Sequence, residues 1–287
     1  MFRGDRFITP LYRMQPGDVP EGGGTGIWLQ VENEKFLVTA AHVIEDGFIW
    51  FPMNKGFKRL NSPGVITNSP TGSRNDDRGD FAGFHLAPED TNAKHPFHEF
   101  VQMSEVDVNL NYQFRDRYEF TGFPWRREEL DHILKQTKPG FMSVTSEMVR
   151  EKTFGILGLS IHTHVVIAFH RKKMMREGVR TTAPLPHGMS GGAVWKRYTQ
   201  SEVRKLSAVA IEYRGNCLIG SRISGALEYI RARFPWLSKN IPQPLDVEIV
   251  TTKNGRSVQP CAVPNGGAAT LLDDSRATGL PPSISGD

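Results

Sequence analysis

Cysteine is scarce: only Cys217 and Cys261 occur among 287 residues. Two thiols cannot build the disulfide framework of a secreted mini-domain, so a reducing compartment, the cytoplasm, is the expected location. Long hydrophobic runs are missing too. No stretch approaches the roughly 18 uninterrupted apolar residues of a membrane-spanning helix, so no membrane is expected as a partner. The opening residues, Met1-Phe-Arg-Gly-Asp-Arg-Phe-Ile-Thr-Pro10, lack the apolar core of a secretory leader, and none is expected. A strong charge of one sign is also absent: 35 Lys and Arg face 31 Asp and Glu, for a net +4. The densest basic run is His170-Arg-Lys-Lys173 with Arg176 and Arg180, and Arg126-Arg127 is a second spot. No aromatic residues interleave them as on a base-stacking surface, so they read as solvated loop and nucleic acid is only a minor alternative partner.

What is present excludes wholesale disorder. Hydrophobic residues make up 38% and aromatics 10%, enough to offset the entropy of ordering a core, in one large domain or two small ones. Ile27-Trp-Leu-Gln-Val31 and Phe36-Leu-Val-Thr39 flank a polar turn at Glu32–Lys35 and read as a hairpin. Further short, turn-bounded strands are expected at 48–51, 81–86, 118–124, 141–145, 163–169, 192–195, 206–213 and 217–220. Between them, residues 61–79 form a long polar loop, and 87–112 give no firm signal. Many short strands at such spacing argue for an all-β sandwich or barrel. Two segments break the pattern. Leu130, Ile133 and Leu134 predict a helix over Arg126–Gln136, and Ala226, Leu227, Ile230 and Phe234 predict another over Gly225–Leu237. No aromatic residue follows Trp236, and six prolines fall in 238–287, so that tail is expected to be largely disordered, with Val247–Val250 as a short strand that docks back.

Three local features carry chemistry. Gly188-Met-Ser-Gly-Gly192 precedes a strand, and at about 7% usage per residue type such a pattern is expected on the order of 0.01 times in a chain this long. Glycines around a serine allow a sharp turn and leave N–H groups free to converge on one oxygen, although a serine-capped glycine turn reads the same. Thr39-Ala-Ala-His42 leaves a strand with a histidine beside small residues, a base of the kind a serine hydroxyl needs, or a structural histidine. Asp80 opens a strand and can accept a ring N–H from a histidine, with Asp76 and Asp77 as competitors. His162 and His164 alternate without cysteine or carboxylate company, so no metal is expected. No cofactor is expected either.

In the order His42, Asp80, Ser190, these contexts resemble the chymotrypsin-like (trypsin-fold) serine proteases. Gly24-Thr-Gly26, Tyr118-Glu-Phe-Thr-Gly-Phe-Pro124, Val209-Ala-Ile-Glu212 and the closing helix extend the likeness over about residues 20–237. The resemblance implies an all-β fold of two six-stranded antiparallel Greek-key β-barrels, residues 1–112 and 113–237, then a C-terminal helix and the tail 238–287. It implies a serine endopeptidase with Ser190 as nucleophile, His42 as base and then acid, and Asp80 as the orienting carboxylate. The N–H groups of Gly188 and Ser190 would form the oxyanion hole, and Ala210, Ile211 and Glu212 would line the substrate pocket. The lack of disulfides and of an Ile-Val-Gly-Gly terminus makes disulfide-free bacterial trypsin-like peptidases, including the HtrA type, the nearer resemblance, without a PDZ module. Viral proteases of this fold are a minor alternative. Pro184 stands where trypsin has its selecting aspartate, so a Lys/Arg preference would have to rest on Glu212. Protein or peptide substrates are expected; the alternative is a protease-fold scaffold gated by a regulatory protein partner.

Overall fold

The computed structural model describes residues 5–67, 79–108, 116–125, 129–131, 136–138, 140–176, 179–198, 203–237 and 270–271. Extended segments rich in β-branched and aromatic residues dominate it. The first set is β1 (Ile8–Gln15), β2 (Val19–Val31), β3 (Glu34–Thr39), β4 (Trp50–Pro52), β5 (Phe57–Arg59), β6 (Gly64–Ile66), β7 (Ala82–His85) and β8 (Val101–Gln102). They assemble in the order β6-β7-β3-β2-β1-β4-β5, with β8 parallel to β2. The β2–β3 hairpin pairs Ile27 with Val38 and Val31 with Glu34. Alternation then sorts the side chains. Trp28 joins Leu37, Phe51 and Phe84 in one apolar cluster. Ile27, Leu29 and Val31 join Phe7, Val209 and Leu227 in a second.

The second set is β9 (Arg117–Gly122), β10 (Glu129–Asp131), β11 (Gln136–Lys138), β12 (Met142–Glu147), β13 (His164–Ala168), β14 (Met174–Arg176), β15 (Val179–Thr181), β16 (Ala193–Arg197), β17 (Arg204–Arg214) and β18 (Cys217–Arg222). Six of these form a sheet ordered β12-β9-β16-β17-β18-β13. A Met148–Ile167 bridge and the bond from the Val149 N–H to the Val166 carbonyl, 3.0 Å, join its two ends and close it into a barrel. β10–β11 and β14–β15 are outlying hairpins. The basic run expected as loop forms a 3-10 turn over Arg171–Lys173 and part of the second hairpin.

Both sheets follow one path. In each, the first strand pairs with the second, the third with the last, the last with the one before it, and a middle segment returns beside the first. The expectation of two antiparallel Greek-key units with a closing helix holds. The first sheet has nine strands rather than six, because the β4–β5 hairpin fills one place, β8 is added, and β19 (Thr270–Leu271) pairs with β6. The helices are α1 (Ala41–Glu45), α2 (Pro88–Ala93), α3 (Glu151–Leu157) and α4 (Ile223–Arg233). α4 buries Ile223, Ala226, Leu227 and Ile230 in the second cluster, between β17 and the first sheet.

Two expectations are corrected and one strand is new. The segment 61–79, expected as loop, holds strand β6 at Gly64–Ile66, because its Val65 and Ile66 pair with β7. Residues 126–136 are not one helix: Glu129–Asp131 pairs antiparallel with Gln136–Lys138. Three apolar residues do not fix a period, and Pro139 with Gly140 stops helical propagation just beyond. β1 escapes the sequence pattern because Pro10 and Arg13 spoil its alternation, yet it pairs with β2 from Ile8 to Gln15 across a bulge at Leu11/Tyr12. The expected strand at Val247–Val250 and the disorder of 238–287 fall outside the described residues, Thr270–Leu271 excepted, as do Asp76 and Asp77.

Candidate active site

β3 and β7 are antiparallel neighbours, with Thr39 opposite Ala82, and this register carries the residues just beyond each strand together. The Ala41 N–H donates to the Asp80 carbonyl at 3.1 Å, and the His42 N–H donates to Asp80 Oδ1 at 3.1 Å. His42 Nδ1 lies 2.7 Å from Asp80 Oδ2. Ala40 and Ala41 are fully buried, which leaves room for the loop before β7 to close over them. Asp80 has φ +35°, a region that non-glycine residues rarely adopt. Such backbone costs of order 1–3 kcal/mol and survives where several bonds over-determine it, as the three bonds to Ala41 and His42 do here. With the buried carboxylate as acceptor, Nδ1 carries the proton and Nε2 is the basic nitrogen.

The serine loop is held by its carbonyls. The Trp125 N–H donates to the His187 carbonyl at 3.0 Å, and the Gly192 N–H to that of Met189 at 2.9 Å. Thr25 Oγ1 donates to the Gly188 carbonyl at 2.8 Å, and the Thr25 N–H to that of Ser190 at 2.8 Å. All four carbonyls from 187 to 190 thus accept a hydrogen bond, three of them from residues outside the loop. Among the described residues, neither the Gly188 nor the Ser190 N–H meets an acceptor. Gly188 has φ +94°, and a Cβ there would stand 2.7 Å from the Phe123 carbonyl oxygen. At Gly191, φ +83°, a Cβ would stand 1.9 Å from the Thr25 carbonyl oxygen, so the loop could not pack against β2 with any side chain there.

The loop is also pinned to β17: the Gly191 N–H donates to the Ala210 carbonyl at 2.7 Å, and the Ala210 N–H to that of Gly192 at 2.8 Å. Just beyond, the β17–β18 register shifts between Ala210 and Glu212. At that bulge the Ile211 carbonyl accepts the Ser190 hydroxyl at 3.3 Å. His42, Gly188, Ser190, Ala210, Ile211 and Glu212 all face one cavity of about 540 Å³, and Asp80 stands behind His42. Sequence reading did not single out Thr25, nor the cavity-lining Phe120, Met189 and Leu218. Thr25 had a signal in the Gly24-Thr25-Gly26 run; the others look like any core residue.

No family model and no curated protein matches the chain. Among solved structures, the scabies mite inactivated protease paralogue S-I1 is similar at 13% identity, over 79% of this chain and 94% of that one, with a TM-score of 0.49. That likeness is too slight to bear on activity, and the fold described above rests on its own strand order.

Proposed function

We propose that the chain is a serine endopeptidase, nearest in kind to the disulfide-free bacterial trypsin-like peptidases and acting on protein or peptide substrates in a reducing compartment. The observation that carries this reading is the His42–Asp80 pair facing the same cavity as Ser190, in a loop whose four consecutive carbonyls are all hydrogen-bonded while the Gly188 and Ser190 N–H groups are not engaged among the described residues. Ser190 Oγ attacks the scissile carbonyl carbon while His42 Nε2 takes its proton. Asp80 stabilises the imidazolium without taking the proton. The Gly188 and Ser190 N–H groups receive the oxyanion, each worth about 3 kcal/mol of barrier in such sites. Collapse expels the amine, protonated by His42, and leaves an acyl ester on Ser190. Water, deprotonated by His42, then releases the acid product. The first step needs the Ser190 hydroxyl to leave the Ile211 carbonyl and turn toward His42.

The test is hydrolysis of an unfolded protein substrate by wild type and by Ser190→Ala. The reading expects cleavage in the first and none in the second; equal cleavage rejects it. A second reading, a protease-like unit that binds a regulatory partner without cleaving it, takes support from the bond Ser190 makes to Ile211. It expects full biological activity in Ser190→Ala.

A further inference from the structure

The cavity beside Ser190 has two chemically different zones. Its carboxylates stand at the mouth. Asp46 is exposed, Glu212 is 41% exposed and lies 3.3 Å from Arg214, and Glu21 is held by Arg13 at 2.7 Å. The buried lining has no ionisable side chain: Phe120, Met189, Ala210 and Leu218 are 1%, 3%, 5% and 3% exposed and belong to one apolar cluster. The strands explain this lining. Phe120 comes from β9, two residues before Gly122, against which Met189 of the serine loop packs, and Leu218 of β18 stands opposite Tyr213 of β17. A lysine, arginine or carboxylate side chain entering that zone would lose its water with no counter-charge beside it, which is strongly unfavourable. An apolar side chain would complete the cluster.

We propose that this zone receives the substrate side chain on the amino side of the scissile bond, so that the chain cleaves after uncharged apolar residues. Leu218 is the specificity-determining residue. The proposal rests on the peptidase reading above but has its own readout. Product-like peptides of the form acetyl-Ala-Ala-X with a free carboxylate, X being Leu, Phe, Lys or Asp, are titrated calorimetrically into Ser190→Ala. Binding needs no turnover. The Leu or Phe peptide is expected to bind at least about tenfold more tightly than the Lys or Asp peptide. In Leu218→Ala/Ser190→Ala the preference is expected to shift from Leu toward Phe, because the pocket deepens. Equal affinities, tighter binding of Lys or Asp, or no binding at millimolar peptide overturns the proposal. Labelling of wild-type Ser190 by a fluorophosphonate reports on the peptidase reading separately. Apolar-selective binding without label rejects that reading alone, and label without apolar selectivity rejects the specificity alone.

Discussion

Thr25 is fully buried and uses every polar atom it has: its N–H on Ser190, its hydroxyl on Gly188 and the Phe123 N–H, and its carbonyl on Thr39 Oγ1. One residue of the first sheet, through its hydroxyl and its backbone N–H, therefore holds the Gly188 and Ser190 carbonyls of a loop in the second. Thr25→Val keeps the shape and removes the hydroxyl, which frees the Gly188 peptide to rotate. On the peptidase reading kcat/KM falls about 10²-fold, the scale of an ångström-sized misplacement, and most of the loss falls on kcat. Thr25→Ser restores most of it. A Val variant with wild-type kcat would show that the clamp is dispensable. Asp80 makes the complementary prediction. Asp80→Asn leaves the histidine's place intact but inverts its tautomer, and kcat is expected to fall about 10⁴-fold with little change in KM. These roles were only partly legible. His42, Asp80 and Ser190 each sit in a recognisable local run, whereas the Gly24-Thr25-Gly26 run does not say that Thr25 bonds to Gly188, 163 positions away.

Among the elements, legibility followed period and length. β2, β3 and α4 were readable because Ile27–Val31 and Phe36–Thr39 are strand-former runs flanking a polar turn, and Ala226–Ile230 shows helical spacing. β1 was not, because Pro10 interrupts it, and the 126–136 helix was wrong because three apolar residues fit either period. The common strand path of the two sheets has no sequence repeat behind it, since backbone pairing, not side-chain identity, defines it. α4 gives a stability prediction. Leu227 is 1% exposed in the cluster shared by α4, β17 and the first sheet. Leu227→Ala is expected to cost about 2–5 kcal/mol, seen as a lower urea midpoint at unchanged m-value. A loss under about 0.5 kcal/mol, the range of surface substitutions, would place that helix outside the core.

For the whole molecule, pH acts through the buried His98, which packs against Trp28 at 6.0 Å between ring centroids. Burial pushes its pKa down from 6.5 to about 4, with His95 and Lys94 adding to the fall and the Arg6 backbone opposing it. A histidine kept neutral in the fold and protonated when unfolded contributes fully above pH 6.5 and loses that contribution as pH falls toward 4. The window is worth about 3 kcal/mol at about 1.4 kcal/mol per pH unit. His98→Gln should therefore flatten the drop in Tm between pH 6.5 and 4 relative to wild type, and parallel curves would contradict the shift. The central claim concerns Ser190 itself, and intact-protein mass spectrometry after fluorophosphonate treatment tests it most directly. One adduct is expected, on the peptide containing Ser190, formed in wild type and absent in His42→Ala. An unmodified chain, or an adduct on another serine formed equally in both proteins, would contradict it.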